Sequence, residues 1–341
     1  MHRLLTCVLL LSVLPAMAQT PDAKPLQFIE KVGGSVVRDP KIKDNPVVAV
    51  NLNGKKISDA DVKLLGSLPA LRTLDVGFTP ISNAGLKELT ALSQLGELNL
   101  TATEVTEAGL KELAKLKQLK VLDLGHTKLG DGSAKVLAAA CGELKSLSLQ
   151  NTRITGAGVK ELAGLKQLHS LNLAITPVND DVLKELTAFP QLTELDLSQT
   201  DVTDAGIKEL AGLSRLQKLN LASTRISNAA LKTIAGFAEL QGLNLNLTAV
   251  TVAGLKELTG LGKLETLSLD HTTIGNADLK TLMALKQLQN LSLSYTKVAG
   301  DAVKELSALT RLQELRLLDL RLDDAAVAAL QKALPKCKII R

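Results

Sequence analysis

Residue types able to do nucleophilic, redox or metal chemistry are sparse in this chain. Beyond residue 18 it carries three histidines, His126, His169 and His271, and two cysteines, Cys141 and Cys337. An imidazole beside a hydroxyl, as in His271-Thr272, is raw material for nucleophilic catalysis. In a chain so rich in threonine that adjacency arises by chance and carries no signal. No C-x-x-C, H-E-x-x-H or phosphate-loop pattern occurs. One set of residues has the composition of a cation site: Asp75, Asn99, Asp123, Asn172, Asp196, Asn220 and Asn244 stand at equivalent places. An oxygen-rich row could hold Ca²⁺, which takes about six to eight oxygen ligands. No two of its aspartates are neighbours, which favours a solvated polar row instead. The expectation is a non-enzyme, with no catalytic, cofactor-binding or metal-ligating residues and no cofactor.

The elements that must position these residues follow from a repeat. Thr79, Thr103, Thr127, Thr152, Thr176, Thr200, Thr224, Thr248, Thr272 and Thr296 recur every 24 residues, with one step of 25. Before each lies an apolar alternation such as Leu195-Asp196-Leu197, and after each a turn and a helix-like run such as Asp204-Ala205-Gly206-Ile207-Lys208-Glu209-Leu210. The unit reads L-x-x-L-x-L-x-x-T-x-[VI]-[TS]-[DN]-A-G-L-K-E-L-x-x-L. Leucines two apart share one face of a strand. Leu86, Leu89 and Leu92, three apart, mark one buried face of the following helix. Ser or Thr opens that helix as an N-cap, with Asp or Asn favourable beside it. One unit cannot bury its leucines alone, but a stack can. Counting less regular copies at both ends, about thirteen strands are expected.

The repeat also disposes of pairings. His126 and His271 lie six repeats apart in one column, roughly 29 Å at about 4.8 Å per strand, so they cannot share a metal. Cys141 and Cys337 lie eight repeats apart, roughly 38 Å by the same spacing, too far for a disulfide. Both cysteines fall at leucine positions, Cys141 at the 25-residue unit, and read as buried apolar residues.

With ten consecutive copies in register, the unit resembles the leucine-rich repeat family. Within it the ribonuclease-inhibitor-like and cysteine-containing subclasses are similar, as are arrays in bacterial secreted proteins. The resemblance covers roughly residues 46 to 341. It implies an α/β fold: a right-handed leucine-rich-repeat solenoid (horseshoe) with a concave parallel β-sheet and convex helices, of about 12–13 repeats. It also implies binding of a protein or peptide without catalysis. The departure is at the ninth position, where the family has Asn or Cys and this chain has Thr. The family's Asn bonds loop backbone between coils, so a threonine ladder is expected to do a reduced version of that job.

The ends and the surface complete the expectation. Arg3, the apolar run Leu4 to Leu14 and the A-x-A site Ala16-Met17-Ala18 read as a signal peptide over 1–18, cleaved near Ala18-Gln19. The mature protein would be secreted, or periplasmic in the cell envelope, with no transmembrane segment. Residues 19–45 read as an N-terminal cap, with Leu26, Phe28, Ile29 and Val32 on one helix face and Val36-Val37 as an extra strand. Residues 46–341 form the solenoid, with an atypical capping unit from about 312. The net charge of +5 is spread along the chain, the lysines of Lys-Glu pairs such as Lys160-Glu161 and Lys256-Glu257 are neutralised by the adjacent glutamate, and aromatics to stack bases are lacking, so no nucleic-acid partner is expected. Asn99-Leu100-Thr101, Asn246-Leu247-Thr248 and Asn290-Leu291-Ser292 match a glycosylation pattern as by-products of the repeat.

A partner should use positions that vary while the framework repeats. The residue before each threonine does so: Phe78, Ala102, His126, Asn151, Ile175, Gln199, Ser223, Leu247, His271 and Tyr295, then Asp319. The expected contact is a patch of Leu247, His271, Tyr295 and Asp319 with Asp270 and Arg316 beside it, and Phe78 and His126 further along the same column. Aromatic side chains are favoured binding anchors. The expected function is a protein- or peptide-recognition scaffold. Alternatives are a self-associating structural component of the envelope and, last because aromatics are few, a carbohydrate or other ligand binder.

Overall fold

A computed structural model describes residues 22–341; the signal-peptide reading lies outside them. The first described element is α1 (Ala23–Lys31), which buries Pro25 and Ile29. It leads to β1 (Ser35–Arg38) and β2 (Val47–Asn51), paired antiparallel with a bulge between Val37 and Arg38. From β2 onward each apolar alternation forms a short strand and each following run a short helix. One compact unit ends at Ser148 and a second covers Leu149–Arg341.

In the first unit β2 is followed by α2 (Asp59–Leu65), β3 (Thr73–Asp75), α3 (Asn83–Leu89) and β4 (Glu97–Asn99). Then come α4 (Glu107–Leu110), β5 (Val121–Asp123), α5 (Asp131–Ala140) and β6 (Ser146–Ser148). Strands β2 to β6 are parallel and adjacent in chain order, with Val50, Leu74, Leu98, Leu122 and Leu147 in one register row. The second unit repeats the pattern from α6 (Gly156–Glu161) and β7 (Ser170–Asn172) through α7 (Asp180–Leu183), β8 (Glu194–Asp196), α8 (Asp204–Glu209) and β9 (Lys218–Asn220). It continues with α9 (Asn228–Ile234), β10 (Gly242–Asn244), α10 (Val252–Leu255), β11 (Thr266–Ser268), α11 (Leu279–Leu282) and β12 (Asn290–Ser292). It ends with β13 (Glu314–Arg316), α12 (Asp324–Ala333) and β14 (Lys338–Ile340). The row from Leu171 to Ile339 is again parallel and in register. The thirteen expected repeat strands are β2 to β14.

The core is aliphatic. The register-row leucines are at most 2% exposed, and the two buried phenylalanines, Phe189 and Phe237, replace leucines without breaking the stack. Each full burial contributes about 1.5–3 kcal/mol, so every repeat depends on the neighbour that covers it. The helices are shorter than the expectation of a helical outer side. Four end after four residues, and three of these continue directly into 3-10 turns, at Lys111–Lys115, Lys184–Ala188 and Lys256–Gly260, and Gly300–Ala308 is 3-10 throughout. The reason lies in the leucine spacing. Leu110, Leu113, Leu116 and Leu119 are all buried at a period of three, which matches the roughly 3.0 residues per turn of a 3-10 helix better than an α-helix.

On the helix side the repeats are laced by polar bonds. Asp180, the first residue of α7, accepts bonds from the backbone N–H of Thr203 at 2.7 Å and from its hydroxyl at 2.5 Å, one repeat on. Asp204 does the same for Ser227, while Asn228 accepts from the Thr251 N–H and donates its side-chain amide to the Thr251 hydroxyl. Thr203 and Ser227 in turn cap α8 and α9 by accepting from Ala205 and Ala229. This bridging needs room. A Cβ at Gly206 would stand 2.2 Å from the Asp180 carboxylate, which accounts for the recurring Ala-Gly of the unit.

Candidate recognition rim at the strand ends

Every repeat turns sharply where its strand ends, and the threonine ladder builds that turn. The Thr79 hydroxyl donates to the Val76 carbonyl three residues back, and the same bond recurs at all ten repeat threonines with lengths of 2.5–2.7 Å. Thus the threonine ladder corrects the expectation: each hydroxyl bonds within its own repeat, not between coils. With one donor and a short side chain, Thr reaches the carbonyl of its own turn.

The Asp/Asn row is the second brace, with a role beyond keeping a face solvated. Asp75 Oδ1 accepts from the Gly77 N–H, and Asn99, Asp123, Asn172, Asp196, Asn220 and Asn244 do likewise two residues ahead, at 2.8–3.1 Å. These are Asx turns, so these side-chain oxygens are engaged by the fold. Where the row changes to Ser268 and Ser292, Asp270 takes over. Its backbone N–H donates to Asn246 at 2.7 Å, and its carboxylate accepts from the Ser294 N–H at 2.8 Å, the Ser292 hydroxyl and the Asn246 amide.

The third residue of each turn is the variable one. Phe78, Ala102, His126, Asn151, Ile175, Gln199, Ser223, Leu247, His271, Tyr295 and Asp319 all have left-handed backbone, with φ between 51° and 58°. A four-residue turn with φ > 0 at this place ordinarily takes Gly or Asn. Any other residue brings its Cβ against the following carbonyl at about 1–2 kcal/mol. None of the eleven is glycine. The amides of nine of them, Phe78, Ala102, Asn151, Ile175, Gln199, Ser223, Leu247, His271 and Tyr295, donate to a carbonyl one repeat on, as in Leu247 N–H to the Asp270 carbonyl at 2.9 Å and Tyr295 N–H to Leu318 at 2.9 Å. The backbone is therefore fixed and the side chains project from the rim.

The rim residues differ in what they offer. Phe78 is 58% exposed, Leu247 55% and Tyr295 46%, so the rim holds three of the five exposed large hydrophobics among the described residues. In the second unit the His271 and Tyr295 rings stack face to face, with centroids 4.3 Å apart and an interplanar angle of 5°. In the first unit Phe78 and His126 lean together over the intervening repeat, with centroids 6.4 Å apart. Asp319 is exposed one repeat beyond Tyr295. Two expected contact residues are engaged within the fold: Asp270 by the turn bonds above, and Arg316, the last residue of β13, by an ion pair with Glu314 at 2.6 Å.

The residue following each threonine is a feature that the pattern of the unit alone does not single out. Asp201 and Arg225 occupy it on successive repeats and pair at 2.7 Å. With Gln199, Ser223 and Leu247 they line a groove of about 460 Å³. Lys297 and Arg321 hold the same place further on, both exposed. Their signal in the sequence is only charge at a variable position.

Away from the rim, both thiols are free and buried. Burial pushes the Cys141 thiol up to about 12 and raises that of Cys337 as well, which keeps both protonated and poorly nucleophilic near neutral pH. No helix among the described residues is long and apolar enough to cross a membrane.

A family model described as Leucine Rich repeat matches residues 68–89, 116–138, 144–163 and 190–211. No curated protein matches the chain. Among solved structures, the chain is similar to an internalin (inlF) of Listeria monocytogenes. The TM-score is 0.61 at 18% identity, over 93% of this chain and 94% of that one. It is similar also to a leucine-rich-repeat protein of Leptospira interrogans, with a TM-score of 0.53 at 23% identity over 82% and 74% of the two chains. A TDR receptor gives 0.52 at 17% identity, over 82% of this chain and 48% of the receptor. At these identities the likeness is one of fold. Taken with the in-register strands and the aliphatic columns, it shows a leucine-rich-repeat fold, and the four matched segments are leucine-rich repeats.

Proposed function

We propose that this chain is a non-catalytic recognition scaffold that binds a protein or peptide along its strand-end rim. The carrying observation is the left-handed column. Eleven positions with φ near +55° are filled without a single glycine, although glycine would relieve about 1–2 kcal/mol at each. Side chains held at that cost, mostly exposed and different from repeat to repeat, are what a recognition surface requires. The main contact is the patch of Leu247, His271, Tyr295 and Asp319; Phe78 and His126 form a lesser one. Asp270 and Arg316 support the patch through their internal bonds. Leucine-rich-repeat proteins generally act in protein–protein interaction, which agrees with this reading. The leader-like residues 1–18 support export, and the bacterial internalin and Leptospira protein are of compatible origin. The element pair α1 and β1 is read as the cap over the first repeat.

The test is a pull-down from the envelope and medium of the source organism, with wild type beside His271→Ala/Tyr295→Ala. A protein retained by wild type and lost by the variant supports recognition at this patch. Equal retention moves the site elsewhere on the molecule. Recovery of the chain itself and nothing else sinks the reading in favour of a self-associating envelope component.

A further inference from the structure

The rim of the second unit is not uniform along its length, and the gradient describes an occupant. Between Gln199 and Ser223 it is a polar groove whose one charge pair, Asp201 with Arg225, is internally neutralised. The next three repeats present Leu247 and the His271–Tyr295 stack, an apolar and aromatic surface. Beyond the stack lie Lys297 and Arg321, exposed on adjacent repeats. Among the described residues neither has a carboxylate within ion-pairing distance, whereas Arg225, Arg316, Lys218 and Lys263 each have one. Beyond the stack, the rim column and the column that follows it carry Lys297 and Arg321 against one carboxylate, Asp319, so those two columns are net positive there.

The spacing suits a chain running across the repeats. Neighbouring repeats stand about 4.8 Å apart and an extended peptide advances about 3.3 Å per residue, so roughly three peptide residues span two repeats. The five steps from Gln199 to Asp319 then take about seven residues. We propose that the rim from Gln199 to Arg321 takes an extended peptide segment that is polar over the groove, apolar over Leu247, His271 and Tyr295, and acidic against Lys297 and Arg321. This rests on the recognition reading above and adds the chemistry of the partner.

The test uses the full chain and four labelled synthetic octapeptides, with binding followed by fluorescence anisotropy. Two are Ser-Gly-Ser-Leu-Phe-Leu-Glu-Glu and its reversed order, to allow either chain direction. Two carry lysines in place of the glutamates. One acidic peptide should bind roughly tenfold more tightly than its lysine counterpart, as two exposed ion pairs allow, and the margin should shrink in high salt. Lys297→Glu/Arg321→Glu should reverse the preference. His271→Ala/Tyr295→Ala should weaken the bound peptide about tenfold with an unchanged thermal melt. Equal affinity for acidic and lysine peptides, preference for lysine, or no binding of any peptide by wild type would overturn the proposal. If any of these occurs while the pull-down still captures a rim-dependent partner, only the peptide chemistry falls. If the pull-down fails too, the recognition reading falls with it.

Discussion

Each repeat contains two tight places, one at the start of its helix and one at the end of its strand, and they are filled by opposite rules. At the helix start the residues suit the geometry. Ser or Thr caps, Asp or Asn bridges to the next repeat, and glycine stands where a Cβ would meet Asp180 Oδ1 at 2.2 Å. At the strand end the geometry favours glycine and the chain never supplies it. The first place is monotonous because it serves stacking alone. The second is varied, and on the proposed reading its side chains serve a partner outside the stack.

The largest way to break the comparison is to violate the helix-start rule. Gly206→Val drives side-chain atoms into the Asp180 carboxylate and Leu183 and should cost about 3 kcal/mol in urea unfolding. Adding Asp180→Ala should recover part of that loss, since the two share one space. Ala230, at the equivalent place in the next repeat, keeps the Asp204 bridge with a 3.1 Å bond from its own N–H, so a methyl is accommodated beside a bridging carboxylate, whereas Val182 at that place faces Gly156 instead of one. A smaller effect comes from the brace of the strand-end turn. Thr224→Val removes the buried hydroxyl that donates to Leu221 O at 2.6 Å and should cost about 1–2 kcal/mol. The rim itself should respond in the opposite direction. Ser223→Gly relieves a left-handed residue at φ 55° and should stabilise by about 1 kcal/mol. A destabilisation there would remove the argument that the rim is held against its own backbone preference.

The smallest effect belongs to a buried thiol on the helix side. Cys141 is raised in the fold from 9.0 to about 12. Its protonated form is therefore favoured by folding, and that contribution is whole below about pH 9 and is lost as pH rises toward 12. Thermal midpoints of wild type and Cys141→Ala, recorded from pH 8 to 11, should converge with rising pH. A constant gap would mean that the thiol does not ionise with unfolding.

Much of the fold was legible in the chain, and less of the site. The alternation around Leu195 and Leu219 located strands, and Thr203 and Ser227 marked helix starts, because both depend on local periodicity and local capping. The rim column was visible as the variable residue before each threonine. Its backbone conformation was not, since φ at Leu247 depends on the amide reaching a carbonyl of the following repeat. The assignment of Asp270 to a contact surface missed its bonds to Asn246 and Ser294, which lie 24 residues away in either direction. That Lys297 and Arg321 stand without a carboxylate partner among the described residues, unlike Arg225 and Arg316, depends on the ion pairs that stacking makes.

The sequence by itself determined the period, the aliphatic core columns and the strand and helix order. Those properties follow from which residues recur and how far apart. Only the tertiary structure decided that the threonine hydroxyls close their own turns, that short 3-10 turns share the helix side, and that His271 stacks on Tyr295. Each of these is set by where a neighbouring group lies within about 3–5 Å, a distance that stacking fixes and that residue type and spacing leave open.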